Sequence, residues 1–300
     1  MVYLISIIGS GRVGTAIAFL AASTSLDDIS LINRTSTKAQ GEALDITNSI
    51  SKNSSVSVVA SNFSQLINAD VIVISVSATT YTIDRYQMFS GQKLIIKSIA
   101  QKIKKYANPD AKILLVSNPV DPLTYFFQQE ASWPQNQIMG IASSLDSSRF
   151  RFLLAKKFGV PQSAISDAMV LGAHDDTMVP IFSHAKNKGT PILNLLNESQ
   201  VKKITHDLLD YWKVMRNLKG PSSFGIAKNT FDVISSIIKN NKTCISASVL
   251  LNGQYGLSDI CLGVPITVNQ KGVNDILEID LNENEMKLLH NSAATVRKFI

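Results

Sequence analysis

Two short stretches near the middle of the chain hold residue types that can do chemistry together. Ser144-Leu145-Asp146-Ser147-Ser148-Arg149 places a carboxylate and a guanidinium three residues apart. Gly172-Ala173-His174-Asp175-Asp176 places an imidazole just after an apolar run. An imidazole supported by a carboxylate exchanges protons near neutral pH. A guanidinium grips a carboxylate through two parallel hydrogen bonds. A third stretch, Gly9-Ser10-Gly11-Arg12-Val13-Gly14, lies between an apolar run and an Ala-rich one. A Gly-rich turn between strand and helix cradles a pyrophosphate. A dinucleotide, an Arg and an Asp-supported His are the parts needed to move a hydride onto a small keto acid. Each part also has a plainer reading. Asp146 and Arg149 suit an i,i+3 helix pair worth roughly a few tenths of a kcal/mol. Spacing alone does not separate His174 from His184, His206 and His290, which read as structural.

The elements that must position these groups follow from hydrophobic patterning. Strands are predicted at Tyr3–Ile8, Ile29–Asn33, Val56–Val59, Val71–Val76 and Lys112–Val116, with helices over Val13–Ser23, Lys38–Ile50 and Tyr86–Tyr106 between them. Short apolar strands alternating with helices indicate a parallel sheet covered on both faces. The second half reads differently. A helix is predicted from Ser147 to Phe158, a short strand at Ala168–Leu171, and a long helical region from Ser199 to Ile238 interrupted by Gly220-Pro221. Two β-rich runs, Thr243–Leu251 and Ile260–Val268, follow. Asn282 and Glu285 form a capping-box pattern ahead of Met286, Leu289, Ala293 and Val296 at helical spacing. The expected fold is α/β: a Rossmann-type doubly wound parallel sheet over residues 1–142, followed by an α+β catalytic domain over residues 143–300.

In the glycine loop, Gly9 allows the tight turn, Gly11 lets the backbone approach the pyrophosphate, and Gly14 permits close helix–strand packing. Arg12 and Val13 open the helix whose positive end faces the phosphates. The second strand runs into Asn33-Arg34-Thr35-Ser36, where an NAD site usually has an acid. Without that carboxylate, Arg34 can pair with a 2′-phosphate, and Ser36 or Thr35 can add a hydroxyl. The expectation is NADP in preference to NAD. The plainer alternative is that Asn33 binds the ribose while Arg34 points to solvent.

Composition narrows the field. Three hundred residues can bury a sizeable core. The net charge of +6 is spread out, and its densest group (Lys93, Lys97, Lys102, Lys104 and Lys105) lies on a predicted helix, which reads as a solvated face rather than a nucleic-acid surface. No apolar run is long enough to span a bilayer, and residues 2–8 are too short for a signal peptide, so a cytoplasmic protein without membrane or nucleic-acid partners is expected. Cys244 and Cys261 fit no metal spacing and read as two core thiols. No metal site is expected.

Taken together, the chain resembles the lactate/malate dehydrogenase family. The matching stretches are Ile8–Gly14, Lys38–Ile46, Ser117-Asn118-Pro119-Val120-Asp121, Leu145–Leu154, Gly172–Pro180, and Leu262-Gly263-Val264-Pro265 with Asn269–Gly272. Any one is modest, but their order and spacing are specific. The resemblance implies a proton-transfer role for His174, oriented by Asp146. It implies that Arg149 clamps the substrate carboxylate and that Asn118 contacts both substrate and nicotinamide ribose. It implies that Arg85, on a closing lid loop, polarises the substrate carbonyl. Ser222 falls where the family has a small residue lining the substrate pocket. Relatives are dimers or tetramers, so a homodimer or homotetramer is expected.

The sequence departs from that pattern in two places. Malate dehydrogenases carry a further lid Arg where this chain has Thr79, within Ala78–Asp84. Losing that partner would cost a dicarboxylate roughly 1.5–3 kcal/mol. Asp175 stands where the family generally has Gly, and it is expected to raise the pKa of His174 or to strain the turn. The leading reading is an NAD(P)-dependent 2-hydroxy acid dehydrogenase acting on malate and oxaloacetate. The alternatives are an L-lactate or branched 2-hydroxy acid dehydrogenase, and a catalytically weakened nucleotide-binding sensor.

Overall fold

The computed structural model describes residues 3–78 and 85–300, with the backbone alone at 85–87. The first half runs β1 (Leu4–Ile8), α1 (Arg12–Ser23), β2 (Asp28–Ile32), α2 (Ser36–Thr47), β3 (Val58–Ala60), β4 (Val71–Ile74), α3 (Arg85–Tyr106), β5 (Lys112–Leu115), α4 (Val120–Ala131) and β6 (Ile138–Gly140). Then come α5 (Ser143–Phe158) and five two-residue strands, β7 (Ile165–Ser166), β8 (Val170–Leu171), β9 (Val179–Pro180), β10 (Lys186–Asn187) and β11 (Thr190–Pro191). The chain continues through α6 (Glu198–Leu209), α7 (Tyr211–Lys219), α8 (Phe224–Ile238), β12 (Thr243–Asn252), β13 (Ser258–Asn269), β14 (Gly272–Ile276) and α9 (Glu283–Val296).

Nine strands form one sheet in the order β14-β13-β12-β6-β5-β4-β1-β2-β3. The six strands of the first half are parallel, as their continuous apolar runs require of strands buried on both faces. Along β4, Val71 and Val73 enter one core while Ile72 and Ile74 enter the other. The first core includes Ile17 and Ala21 of α1, Ala39 and Ala43 of α2, and Ile226, Ala227 and Ile234 of α8. The second includes Ile96 and Ile103 of α3 and Leu123 and Phe127 of α4. Each fully buried Ile or Leu stabilises the fold by about 1.5–3 kcal/mol relative to exposure. The antiparallel β12–β13 hairpin joins this sheet where Ser248 pairs with Gly140. A smaller core, including Phe150, Leu154, Phe182, Ile204 and Leu208, holds α5 and α6 together.

Several elements differ from the sequence reading. Helix α5 starts at Ser143 rather than Ser147, and its serines bond back along the helix. Ser147 Oγ donates to the Ser143 carbonyl at 2.8 Å and Ser148 Oγ to that of Ser144 at 3.1 Å. Helix α4 was not anticipated. Its run Thr124-Tyr125-Phe126-Phe127 favours helix weakly, and burial of Leu123 and Phe127 holds it. The long helical region breaks at Asp210 as well as at Gly220-Pro221. Cys261 is buried as expected, but Cys244 is exposed, because its place on β12 faces away from the core. No helix among the described residues is long and apolar enough to cross a membrane.

Candidate active site

The glycine loop joins β1 to α1. Gly9 has φ +105°, and a Cβ there would collide with the Ser75 carbonyl. A Cβ at Gly14 would collide with the Gly9 carbonyl. Both glycines are therefore demanded by the protein's own packing. Gly11 differs: a Cβ there would meet no protein atom within 4 Å. Gly11 caps α1 with extended backbone and no side-chain hydrogen bond, so open space adjoins the helix's positive end. This space fits a pyrophosphate. Arg12 and Val13 are the first two residues of α1.

At the end of β2, the Asn33 amide donates to Ser10 Oγ at 2.7 Å, while its carbonyl oxygen accepts the Thr35 N–H at 3.0 Å. Asn33 thus braces the glycine loop. Arg34 and Ser36 are exposed beside the start of α2, whose cap residue Thr35 makes no side-chain cap bond. Arg34 therefore stands two residues ahead of the first turn of α2, whose positive end carries N–H groups with no side-chain cap.

Asp146 sits in the first turn of α5 with its side chain 1% exposed. One carboxylate oxygen lies 2.6 Å from His174 Nδ1, and the other accepts from Arg149 Nη1 at 3.0 Å. A single buried acid therefore serves two cationic partners. The Arg149 guanidinium also lies over the Tyr211 ring, 5.3 Å from its centre. Burial works against protonation of His174, but the Asp146 carboxylate outweighs it, and the imidazole pKa lies above its ordinary value.

The backbone of His174 is fixed as well. Its N–H donates to Asp121 Oδ2 at 2.8 Å. Asp121 is buried at the start of α4. Burial pushes its carboxyl pKa up to about 6, partly offset by the hydrogen bond from His174. The preceding Gly172 has φ +85°, and a Cβ there would crowd Ser292 Oγ of α9. Ser292 Oγ accepts the Ala173 N–H at 2.8 Å and lies 2.9 Å from Thr177 Oγ1.

Of the two effects expected of Asp175, strain of the turn is not seen. Asp146 leads the charges that raise the His174 pKa, and Asp121 adds to it. Asp175 is not among the residues with positive φ, so the turn is not strained by its side chain. Its carboxylate instead accepts from the Thr177 N–H at 2.7 Å and from the Thr177 hydroxyl at 2.5 Å, an Asx turn that closes the loop.

His174, Arg149, Asn118 and Ser222 all line one cavity of about 250 Å³, together with Val13 from the nucleotide loop. The strap Gly220–Ser222 and the α7 residues Trp212, Met215 and Arg216 form another part of the wall. Thr79 lies outside the described residues, as does the side chain of Arg85, whose backbone opens α3. The other histidines lie elsewhere. His184 Nδ1 is 3.1 Å from Ser183 Oγ, His206 is an exposed partner of Asp210, and His290 Nε2 bonds the Tyr255 carbonyl at 2.9 Å. Among the described residues no group of three or more His, Cys, Asp or Glu is placed to hold a metal.

Sequence reasoning assigned no role to Asp121, Ser292 or the α7 residues. Asp121 stands in the matching stretch Ser117–Asp121, and positions 212, 215 and 216 have the spacing of one helix face.

Residues 3–140 match the NAD binding domain of lactate/malate dehydrogenase, and residues 143–300 match its alpha/beta C-terminal domain. The chain is 33% identical to a malate dehydrogenase of Flavobacterium johnsoniae, covering 98% of this chain and 96% of that one. It is 32% identical to a malate dehydrogenase of Staphylococcus saprophyticus, with the same coverage. A lactate dehydrogenase of Cryptosporidium parvum, solved with lactic acid and nicotinamide adenine dinucleotide, superimposes with a TM-score of 0.94 at 34% identity, covering 100% of this chain and 97% of that one. A malate dehydrogenase from the same organism gives a TM-score of 0.94 at 27% identity, covering 100% and 98%. The chain belongs to the lactate/malate dehydrogenase family.

Proposed function

We propose, from that membership, that this protein is an NAD(P)-dependent 2-hydroxy acid dehydrogenase that interconverts malate and oxaloacetate. The observation that carries the reading is the Asp146 carboxylate shared between His174 and Arg149 at the wall of one cavity. With Nδ1 held by Asp146, His174 has Nε2 left to give a proton to the substrate's carbonyl oxygen and to take it back in reverse. Asp146 fixes the ring and stabilises its protonated form. Arg149 holds the carboxylate next to the reacting carbon and so orients it. Asn118 contacts substrate and nicotinamide ribose, Ser222 borders the substrate, and Arg85 polarises the substrate carbonyl, the role that the family resemblance implies for it.

A nicotinamide dinucleotide, when bound, supplies or accepts the hydride. Gly9, Gly11, Arg12, Val13 and Gly14 would hold its pyrophosphate, and Asn33 the edge of its adenosine ribose. Arg34 and Ser36 give the site a preference for NADP, because an exposed guanidinium beside free helix N–H groups favours a 2′-phosphate. Residues 1–142 act as the nucleotide domain and 143–300 as the catalytic domain, in a cytoplasmic homodimer or homotetramer.

Thr79 favours a second reading, reduction of a monocarboxylic 2-keto acid to a lactate-like product. Loss of reduced-nicotinamide absorbance, followed with NADH and NADPH separately against oxaloacetate, pyruvate and a branched 2-keto acid, decides between them. Fastest turnover of oxaloacetate with NADPH is expected. Pyruvate or the branched acid winning overturns the malate reading, and cofactor binding without any turnover favours a sensor.

A further inference from the structure

We propose that Tyr211, the first residue of α7, is a positioning residue for substrate binding: its ring sets the plane of the Arg149 guanidinium that receives the substrate carboxylate. The inference rests on the dehydrogenase reading of the cavity and goes beyond it, since Tyr211 belongs to none of the matching stretches.

A guanidinium forms two parallel hydrogen bonds to a carboxylate only when the two groups share a plane, so the plane of the clamp decides how a keto acid sits. Arg149 is buried, and its Nη1 donates to Asp146 Oδ1 at 3.0 Å. That bond acts along one line at the edge of the guanidinium and does not fix its tilt. Tilt is restrained from the face. Arg149 Cζ lies over the Tyr211 ring, 5.3 Å from its centre. A cation is drawn to the face of an aromatic ring, and a guanidinium held there keeps its edge donors available. The ring is itself held. It meets the ring of Phe152, three residues on from Arg149 along α5, with centres 6.3 Å apart and planes at 85°. Both contacts use the ring and neither uses the hydroxyl. Tyr211 follows Asp210, whose carboxylate accepts from Lys213 Nζ at 2.7 Å, and precedes Trp212, which lines the same cavity as Arg149. Orientation of the clamp is thus divided between an acid on α5 and a ring on α7.

The test compares Tyr211→Phe and Tyr211→Leu with the unaltered protein, using oxaloacetate and pyruvate with saturating reduced cofactor. Phe keeps the ring, and Leu keeps apolar bulk without it. No residue of α7 is fully buried, so both variants are expected to fold. The expected result in Y211L is a rise of about 3- to 30-fold in KM for both acids, with kcat changed less. Binding of the reduced cofactor, read by its fluorescence, should not change, and Y211F should match the unaltered protein. A ring with a merely structural role would lower the melting temperature and leave KM where it is. An unchanged KM in Y211L, a rise for one acid alone, an equal rise in Y211F, or a cofactor affinity that falls in step with KM overturns the proposal. If the unaltered protein turns over neither acid, the dehydrogenase reading itself fails. The proposal is then judged by calorimetric binding of oxaloacetate to the cofactor-loaded protein. Affinity lost in Y211L and kept in Y211F supports it, whereas equal affinity in both, or no binding to the unaltered protein, overturns it.

Discussion

The cavity has two unlike walls. The α5 wall is locked: Asp146 is fully buried, Arg149 is 9% exposed, and the His174 loop is tied by Asp121 and Ser292. The α7 wall has no fully buried residue at all, and it reaches the site through an amphipathic face and the Gly220–Ser222 strap. Bonds on the first wall are shared, so changing one partner disturbs the others. Side chains on the second wall can change with little effect on the fold. On the function proposed above, the chemistry that every substrate needs sits on the first wall, where the bonds are shared.

The sharpest way to break this contrast is to remove the imidazole. His174→Asn should lower kcat by about 10²- to 10⁴-fold with every 2-keto acid, while the melting temperature stays near wild type. A loss confined to one acid would mean that His174 does not do chemistry that every substrate needs. Asp146→Asn strikes both activity and fold. Removing one partner of a buried charged cluster typically costs about 3–5 kcal/mol, readable by urea unfolding. Because Asp146 raises the His174 pKa, the protonated form needed for reduction persists above the pH at which a free imidazole loses its proton. The stability it contributes is fully present below the unfolded pKa and disappears as pH rises through the raised one. In D146N the alkaline limb of kcat/KM should move to lower pH, and an unmoved limb would contradict the pairing.

Asp121 allows a subtler test, since Asn can still accept the His174 N–H. Its carboxyl pKa is raised, so the favourable protonated form is present below about pH 4 and lost as pH climbs through about 6. Asp121→Asn should flatten the fall in stability across that window by roughly 2–3 kcal/mol, measured by urea unfolding from pH 4 to 7. An unchanged slope would mean that Asp121 does not titrate there. The nucleotide loop gives a paired contrast. Gly14→Ala should destabilise the fold, whereas Gly11→Ala should leave melting unchanged and weaken binding of the reduced cofactor, followed by its fluorescence. The smallest effect expected is about tenfold, the loss of NADPH preference in Arg34→Ser, read as the ratio of the two cofactors' kcat/KM values.

How much of this was legible in the sequence depends on whether a signal is local. The parallel strands could be read because burial on both faces leaves continuous apolar runs such as Val71–Ile74. The α9 capping box could be read because Asn282 and Glu285 act within a single turn. The glycine loop could be read, but not the difference between Gly14, which faces a carbonyl, and Gly11, which faces open space. Helix α4 escaped because tertiary burial overrides weak propensity. The role of Asp121 escaped because its partner lies 53 residues away. The α7 wall escaped because periodicity reports which residues share a face, not what that face meets.

Ser292 braces the histidine loop from 119 residues further along the chain. During synthesis the nucleotide sheet, α5 and His174 itself all emerge well before α9. A chain still on the ribosome thus has the Asp121 and Asp146 partners of that loop but lacks its last brace. The loop is closed from both sides only when α9 docks and Ser292 meets the Ala173 N–H.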